Sequence, residues 1–147
     1  MRLVFSYEFW RVGVFAIALG IFAGLSGSGH ASPPASIIDG YLAEAKKGNS
    51  AFKGFSPERG RSLFFSNNTT GKPETPSCTS CHSKNPINAG QTRAGKEIAP
   101  MAVSRSPDRY TDPKKVKKWF RRNCKSVLGR ICTPTEKGDF LTFMLSQ

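Results

Sequence analysis

Histidine is almost missing: the 147 residues hold two, His30 and His82. Acidic residues are sparse as well, 10 against 22 Lys and Arg, for a formal net charge of +12. There is no repeat and no low-complexity tract, and no apolar–polar alternation runs long enough to promise a strand. The chain is too short for a multidomain enzyme, and at 38% hydrophobic residues it is too apolar for a disordered basic tail. After the first 31 residues, no apolar run approaches the roughly 20 residues that a spanning helix needs.

Those first residues read as an export signal. Arg2 and Arg11 precede an unbroken apolar and glycine run, Val12–Leu25, and small residues lead to Ala31. Cleavage after Ala31 is expected; an uncleaved N-terminal anchor is the alternative. The expected organisation is a signal peptide over 1–31 and one domain over 32–147. The signal holds Arg2, Arg11 and Glu8, so its loss lowers the charge of +12 by one. His30 leaves with it, and His82 becomes the one imidazole left. That excludes a Ser-His-Asp or Cys-His catalytic site built on any other histidine, and a multi-histidine metal site. Export predicts a periplasmic setting, where disulfides persist. It also turns the basic charge away from nucleic acid and towards an acidic protein or an anionic surface.

Four helices are expected. The first spans about Ala35 to Lys47, with Ile37, Ile38, Tyr41 and Leu42 at helical spacing and a stop at Gly48-Asn49. The second opens at Ser56-Pro57-Glu58, a capping serine followed by proline at the first helical position, and brings Gly60, Leu63 and Phe64 to one face. Asp112-Pro113 opens the third by the same logic, with Val116, Trp119, Phe120 and Asn123 as its inward stripe. Thr133-Pro134-Thr135-Glu136 is a capping box that opens the fourth, with Phe140, Leu141, Met144 and Leu145 on its apolar side. Between the second and third lie about 45 residues, Asn67 to Thr111, rich in Gly, Pro and Ser. So long an irregular stretch is abnormal in a compact domain, and it argues for a large cofactor as organiser.

Cys78-Thr79-Ser80-Cys81-His82 lies within that stretch. C-x-x-C-H is the attachment motif of haem c: two thiols add to the two vinyl groups, and the adjacent imidazole reaches the iron. A thioredoxin-like pair would need a βαβ context. Zinc would need a second ligand pair, which Cys124 and Cys132, eight apart and without a histidine, do not supply. One covalent haem c is therefore expected on Cys78, Cys81 and His82.

The two remaining cysteines, Cys124 and Cys132, are expected to join outside the cytoplasm, as a structural staple rather than a redox pair, with Gly129 easing the turn between them. A loop this short stabilises by about 2.5 kcal/mol on the chain-entropy estimate. For the iron's sixth ligand, the residues leave three candidates open. Met101, in Ile98-Ala99-Pro100-Met101, and Met144 are thioethers that could equally be core. Asn123 continues the third helix's stripe but could equally cap the helix end.

Val116-Lys117-Lys118-Trp119-Phe120-Arg121-Arg122-Asn123-Cys124, Gly129-Arg130-Ile131-Cys132 and Thr135-Glu136-Lys137-Gly138-Asp139-Phe140 resemble the C-terminal half of the SHP-type cytochromes c. Arg59-Gly60-Arg61-Ser62-Leu63-Phe64 and Ile98-Ala99-Pro100-Met101-Ala102 fit the same pattern, so the likeness covers most of Phe55–Leu145. It implies an all-α, class I cytochrome c-like fold wrapped around one covalent haem. It implies that Asn123 is the sixth ligand and that the two cysteines after it form a disulfide hairpin. It also implies that Asn123 gives way to O2 or NO, and that electrons come from a dihaem cytochrome c linked to a membrane cytochrome b.

Lys114, Lys115, Lys117, Lys118, Arg121 and Arg122 fall mostly away from the apolar stripe, with Lys125 and Arg130 beyond and no acid among them. Such an imbalance is expected to steer an acidic redox partner. Two function classes follow: an electron carrier that also binds small gases, or an enzyme that reduces or oxygenates a small substrate at the same iron. The absence of a proton donor near Asn123 weighs against the enzyme. A plain His/Met carrier is a third reading and would require thioether ligation.

Overall fold

The structure, a computed structural model, describes residues 33–147. The expected signal peptide therefore lies outside the described residues. Four helices appear: α1 Pro33–Gly48, α2 Pro57–Phe65, α3 Pro113–Leu128 and α4 Pro134–Leu145. The caps act as their residue types dictate. Ser56 accepts from the Arg59 amide, Asp112 accepts from the Lys114 and Lys115 amides, and Thr133 and Glu136 close a reciprocal capping box. All four helices begin with proline, whose missing N–H is no loss at that position. Among the described residues no helix is long and apolar enough to cross a membrane.

The long connection from Asn67 to Thr111 holds a single 3-10 turn, Cys78–Ser80, and a two-residue antiparallel ribbon, β1 Gly90–Gln91 with β2 Glu97–Ile98. The ribbon is too short to have left any alternation in the sequence. The rest of the connection is turn and irregular backbone.

α4 is the centre of the packing, with α1 and α2 laid against it. Ile37, Phe64, Met101, Val116, Phe140, Leu141, Phe143 and Met144 form one apolar cluster. Phe143 takes the buried place expected of Leu145, which is exposed at the last turn. The crossing of α2 and α4 is close because Gly60 faces the α4 backbone: a Cβ there would strike the Asp139 carbonyl and the Phe143 Cβ. At the same residue the buried Asp139 carboxylate accepts from the Ser56 amide, Arg59 Nε and Arg59 Nη2, each at 2.7 Å. The amide that begins α2 is thus tied to the middle of α4, and the buried charge is both paired and hydrogen-bonded.

α3 differs from expectation in two ways. It continues past Cys124 to Leu128 and is capped by Gly129, whose φ of 68° is the left-handed region that favours glycine. Asn123 is consequently interior to the helix and not its cap. The packed face consists of Val116, Phe120, Cys124, Val127 and Leu128, while Trp119 is 50% exposed and Asn123 is exposed. With about 100° between successive residues, Trp119 and Asn123 lie on the flank of the stripe and not at its centre.

Candidate functional site

The attachment turn is built locally. Ser77 is buried and caps it: its Oγ accepts from the Thr79 amide at 3.2 Å and donates to the Phe64 carbonyl at 3.3 Å, while Ser80 Oγ accepts from the Ser77 amide. The Cys78 carbonyl then accepts from both the Cys81 and His82 amides, at 3.3 and 3.0 Å. This single tight turn brings Cys78, Cys81 and His82 together. Gly90 presses on it from outside, where any Cβ would strike the Cys81 carbonyl and the His82 Cα. Cys78 and Cys81 are not bonded to each other.

The chemistry of the three residues fits a haem. His82 Nδ1 is buried with no hydrogen-bond partner among the described residues. Burial, and after it the positive charge of Arg109, pushes the His82 pKa down to about 4. The imidazole is therefore neutral at ordinary pH, the form that coordinates a metal. Burial likewise pushes the Cys78 thiol up to about 11, which makes it a poor exchange nucleophile and removes support from a thioredoxin-like reading. Two thiols and a neutral imidazole on one turn would hold a haem by two thioether links and one axial bond.

α3 stands beside this turn. Cys78 packs against both apolar clusters, the second made of Cys124, Val127, Leu128 and Cys132 with Leu63 and Phe120. The segment leading into the turn is fastened to the end of α3. Thr70 Oγ1 donates to the Leu128 carbonyl at 2.9 Å, the Lys72 amide donates to the Ser126 carbonyl at 2.7 Å, and the Thr75 and Ser126 hydroxyls pair at 2.8 Å. These bonds satisfy carbonyls that a helix end otherwise leaves free. Gly71 and Gly129 permit the approach, since a Cβ on either would strike backbone of the opposite segment.

The sequence candidates divide as follows. Cys124 and Cys132 lie 5.6 Å apart at Cα and are joined. Met101 and Met144 are both buried in the main core, Met144 completely. Asn123 is exposed on α3, one turn after the exposed Trp119. Lys114, Lys115, Lys117, Lys118, Arg121, Arg122 and Lys125 are all exposed. Arg122 and Lys118 sit over the Trp119 ring, 5.2 and 5.8 Å from its centre. Arg130 does not belong with the free cations, because it forms a two-pronged pair with Glu136 at 2.8 and 2.6 Å.

Two residues escaped the sequence reading. Arg109 donates to the carbonyls of Ala99 and Pro100, and Tyr110 donates to that of Met101. Nothing in a loop rich in cations distinguishes Arg109, and a left-handed tyrosine has no signature in sequence.

Comparison with known proteins agrees with the geometry. The family described as "Domain of unknown function (DUF1924)" matches residues 50–144. The chain is 52% identical over 133 residues to the cytochrome c-type protein SHP of Cereibacter sphaeroides, covering 90% of this chain and 98% of the relative. It is 33% identical over 108 residues to cytochrome c'' of Methylophilus methylotrophus, covering 73% of this chain and 75% of the relative. The structure of oxidized SHP, described as an oxygen binding cytochrome c, superposes with a TM-score of 0.72 at 54% identity, covering 78% of this chain and 96% of that one. The crystal structure of oxidized cytochrome c'' gives 0.68 at 30% identity, covering 78% and 94%. A family match over most of the domain, together with these two relatives and the geometry of the turn, places the chain in the SHP-type cytochromes c, all-α proteins that carry one covalently bound haem c.

Proposed function

We propose that this is an exported, periplasmic monohaem electron carrier whose sixth ligand, Asn123, yields to O2 or NO. When bound, the haem supplies one-electron redox chemistry and a coordination position for a small gas. His82 holds the near side through a neutral imidazole. Asn123 offers a neutral amide, a weaker donor than a thioether, which leans the ferric protein to high spin and leaves the ferrous protein easily opened. The observation that carries the reading is the 54% identity to a protein described as an oxygen binding cytochrome c. Supporting it, Met101 and Met144 are committed to the core while Asn123 is exposed on the helix beside the attachment turn.

The joined Cys124 and Cys132 staple α3 one residue after Asn123 and serve structure, not redox exchange. Lys114, Lys115, Lys117, Lys118, Arg121 and Arg122 dock an acidic redox partner, of the dihaem cytochrome c kind.

The test is Asn123→Ala. The variant is expected to keep its haem, to lose the ligand signature in ferric optical and EPR spectra, and to bind CO or NO more tightly when reduced. Unchanged gas affinity, with a sharp spectral change in Met101→Ala instead, would overturn the assignment.

A further inference from the structure

The segment Ala99-Pro100-Met101, which follows β2, lies close to the attachment turn. It continues directly from Ile98, the register partner of Gly90, and Gly90 is seated on Cys81 and His82. The Pro86 carbonyl, four residues after His82, accepts from the Met101 and Ala102 amides, each at 2.9 Å. Three consecutive carbonyls of this segment are taken by two consecutive side chains. Arg109 Nη2 donates to Ala99 at 2.6 Å, Arg109 Nε donates to Pro100, and the Tyr110 hydroxyl donates to Met101 at 3.0 Å.

Consecutive side chains of an extended backbone point to opposite sides and could not both reach one strand. Tyr110 instead has a φ of 60°, the one non-glycine residue in the left-handed region among the described residues. That backbone is costly for a bulky side chain and persists only where its surroundings impose it. Both side chains reach the same segment from this turn. Arg109 is gripped by neutral carbonyls, and no carboxylate among the described residues pairs with it. Its charge is therefore not cancelled by a protein partner.

We propose that Arg109 is a positioning residue for the redox balance of the haem: a fixed cation, locked by Tyr110 and the Ala99-Pro100 carbonyls, on the side of the iron held by His82. Reduction adds one electron and removes one positive charge from the iron. A fixed cation nearby therefore disfavours the ferric state more than the ferrous one. The neutral amide of Asn123 does nothing comparable from the other side. This inference rests on the haem being held through His82.

The test is spectroelectrochemical titration of haem-loaded wild type, Arg109→Gln, Arg109→Lys and Tyr110→Phe, with resonance Raman of the ferrous iron–histidine band. A wild type with the spectrum of a covalent haem and a histidine band secures the underlying reading, so the comparison bears on Arg109 alone. Arg109→Gln is expected to shift the midpoint downwards, so that the reduced fraction at the wild-type midpoint falls several-fold. Arg109→Lys, which keeps the charge, is expected to stay near wild type, and Tyr110→Phe, which frees one bond of the lock but keeps the cation, to move less than Arg109→Gln. An unshifted Arg109→Gln, or equal shifts in the glutamine and lysine variants, would overturn the proposal. If the glutamine variant fails to mature, the lysine variant decides: a midpoint near wild type supports the charge role, and a marked drop overturns it.

Discussion

A single hydrogen atom decides how closely the two helices at the heart of this protein can meet. Gly60 is buried against the Asp139 carbonyl, and the two backbones leave no room for a methyl group. Gly60→Ala is therefore expected to destabilise by about 3 kcal/mol, the upper end of the cost of overpacking a core. Chemical denaturation of the haem-loaded protein checks this, and an unchanged midpoint would mean that the helices separate at no cost. At this scale the sequence was legible wherever chemistry demands a fixed spacing. Cys78, Cys81 and His82 stand out because haem c attachment asks for two thiols and an imidazole at a set spacing. The caps at Ser56, Asp112 and Thr133 could be read because a helix start needs an acceptor. Tyr110 and Arg109 could not be read, because they act through a backbone conformation that leaves no periodic trace.

The helices themselves were legible from their apolar spacing, but the face of α3 was not. Trp119 counts as apolar in any pattern, and this drew the expected stripe towards Asn123. The packed arc in fact runs through Phe120, Cys124 and Leu128, because the disulfide and the Thr70–Thr75 segment draw that side inward. The start of α4 carries its own dependence on acidity. Glu136 accepts from Arg130 and from the Thr133 amide. The Arg130 hydrogen bonds, foremost, hold its carboxyl below the ordinary carboxylate range. A group with a lowered pKa stabilises fully above its unfolded value, about 4.3 for glutamate, and loses that contribution as pH falls through the folded value. Glu136→Gln should accordingly flatten the acid limb of stability against pH below about 4.3. An acid limb identical to that of wild type would show that the box and its arginine add nothing at this end.

For the molecule as a whole, the charge is unevenly placed. The acids that form pairs lie on α4 and the long connection, while α3 has cations and no acid. Reversing Lys117 and Lys118 to Glu should slow reduction by an acidic cytochrome, most strongly at low ionic strength, where the Debye length is long. Stopped-flow rates across a salt series check this, and equal rates at low salt would remove α3 from the encounter. The fastening of Thr70, Lys72 and Thr75 to the last turn of α3 has a wider consequence. The strip of chain that bears the porphyrin and the helix that faces it are riveted a few residues from each grip. Under the proposed function, an Asn123 that yields to a gas would have to do so without a hinge in this stretch of main chain. The motion it would need is the swing of one short side chain once the iron lets go, and not a breathing of the whole fold.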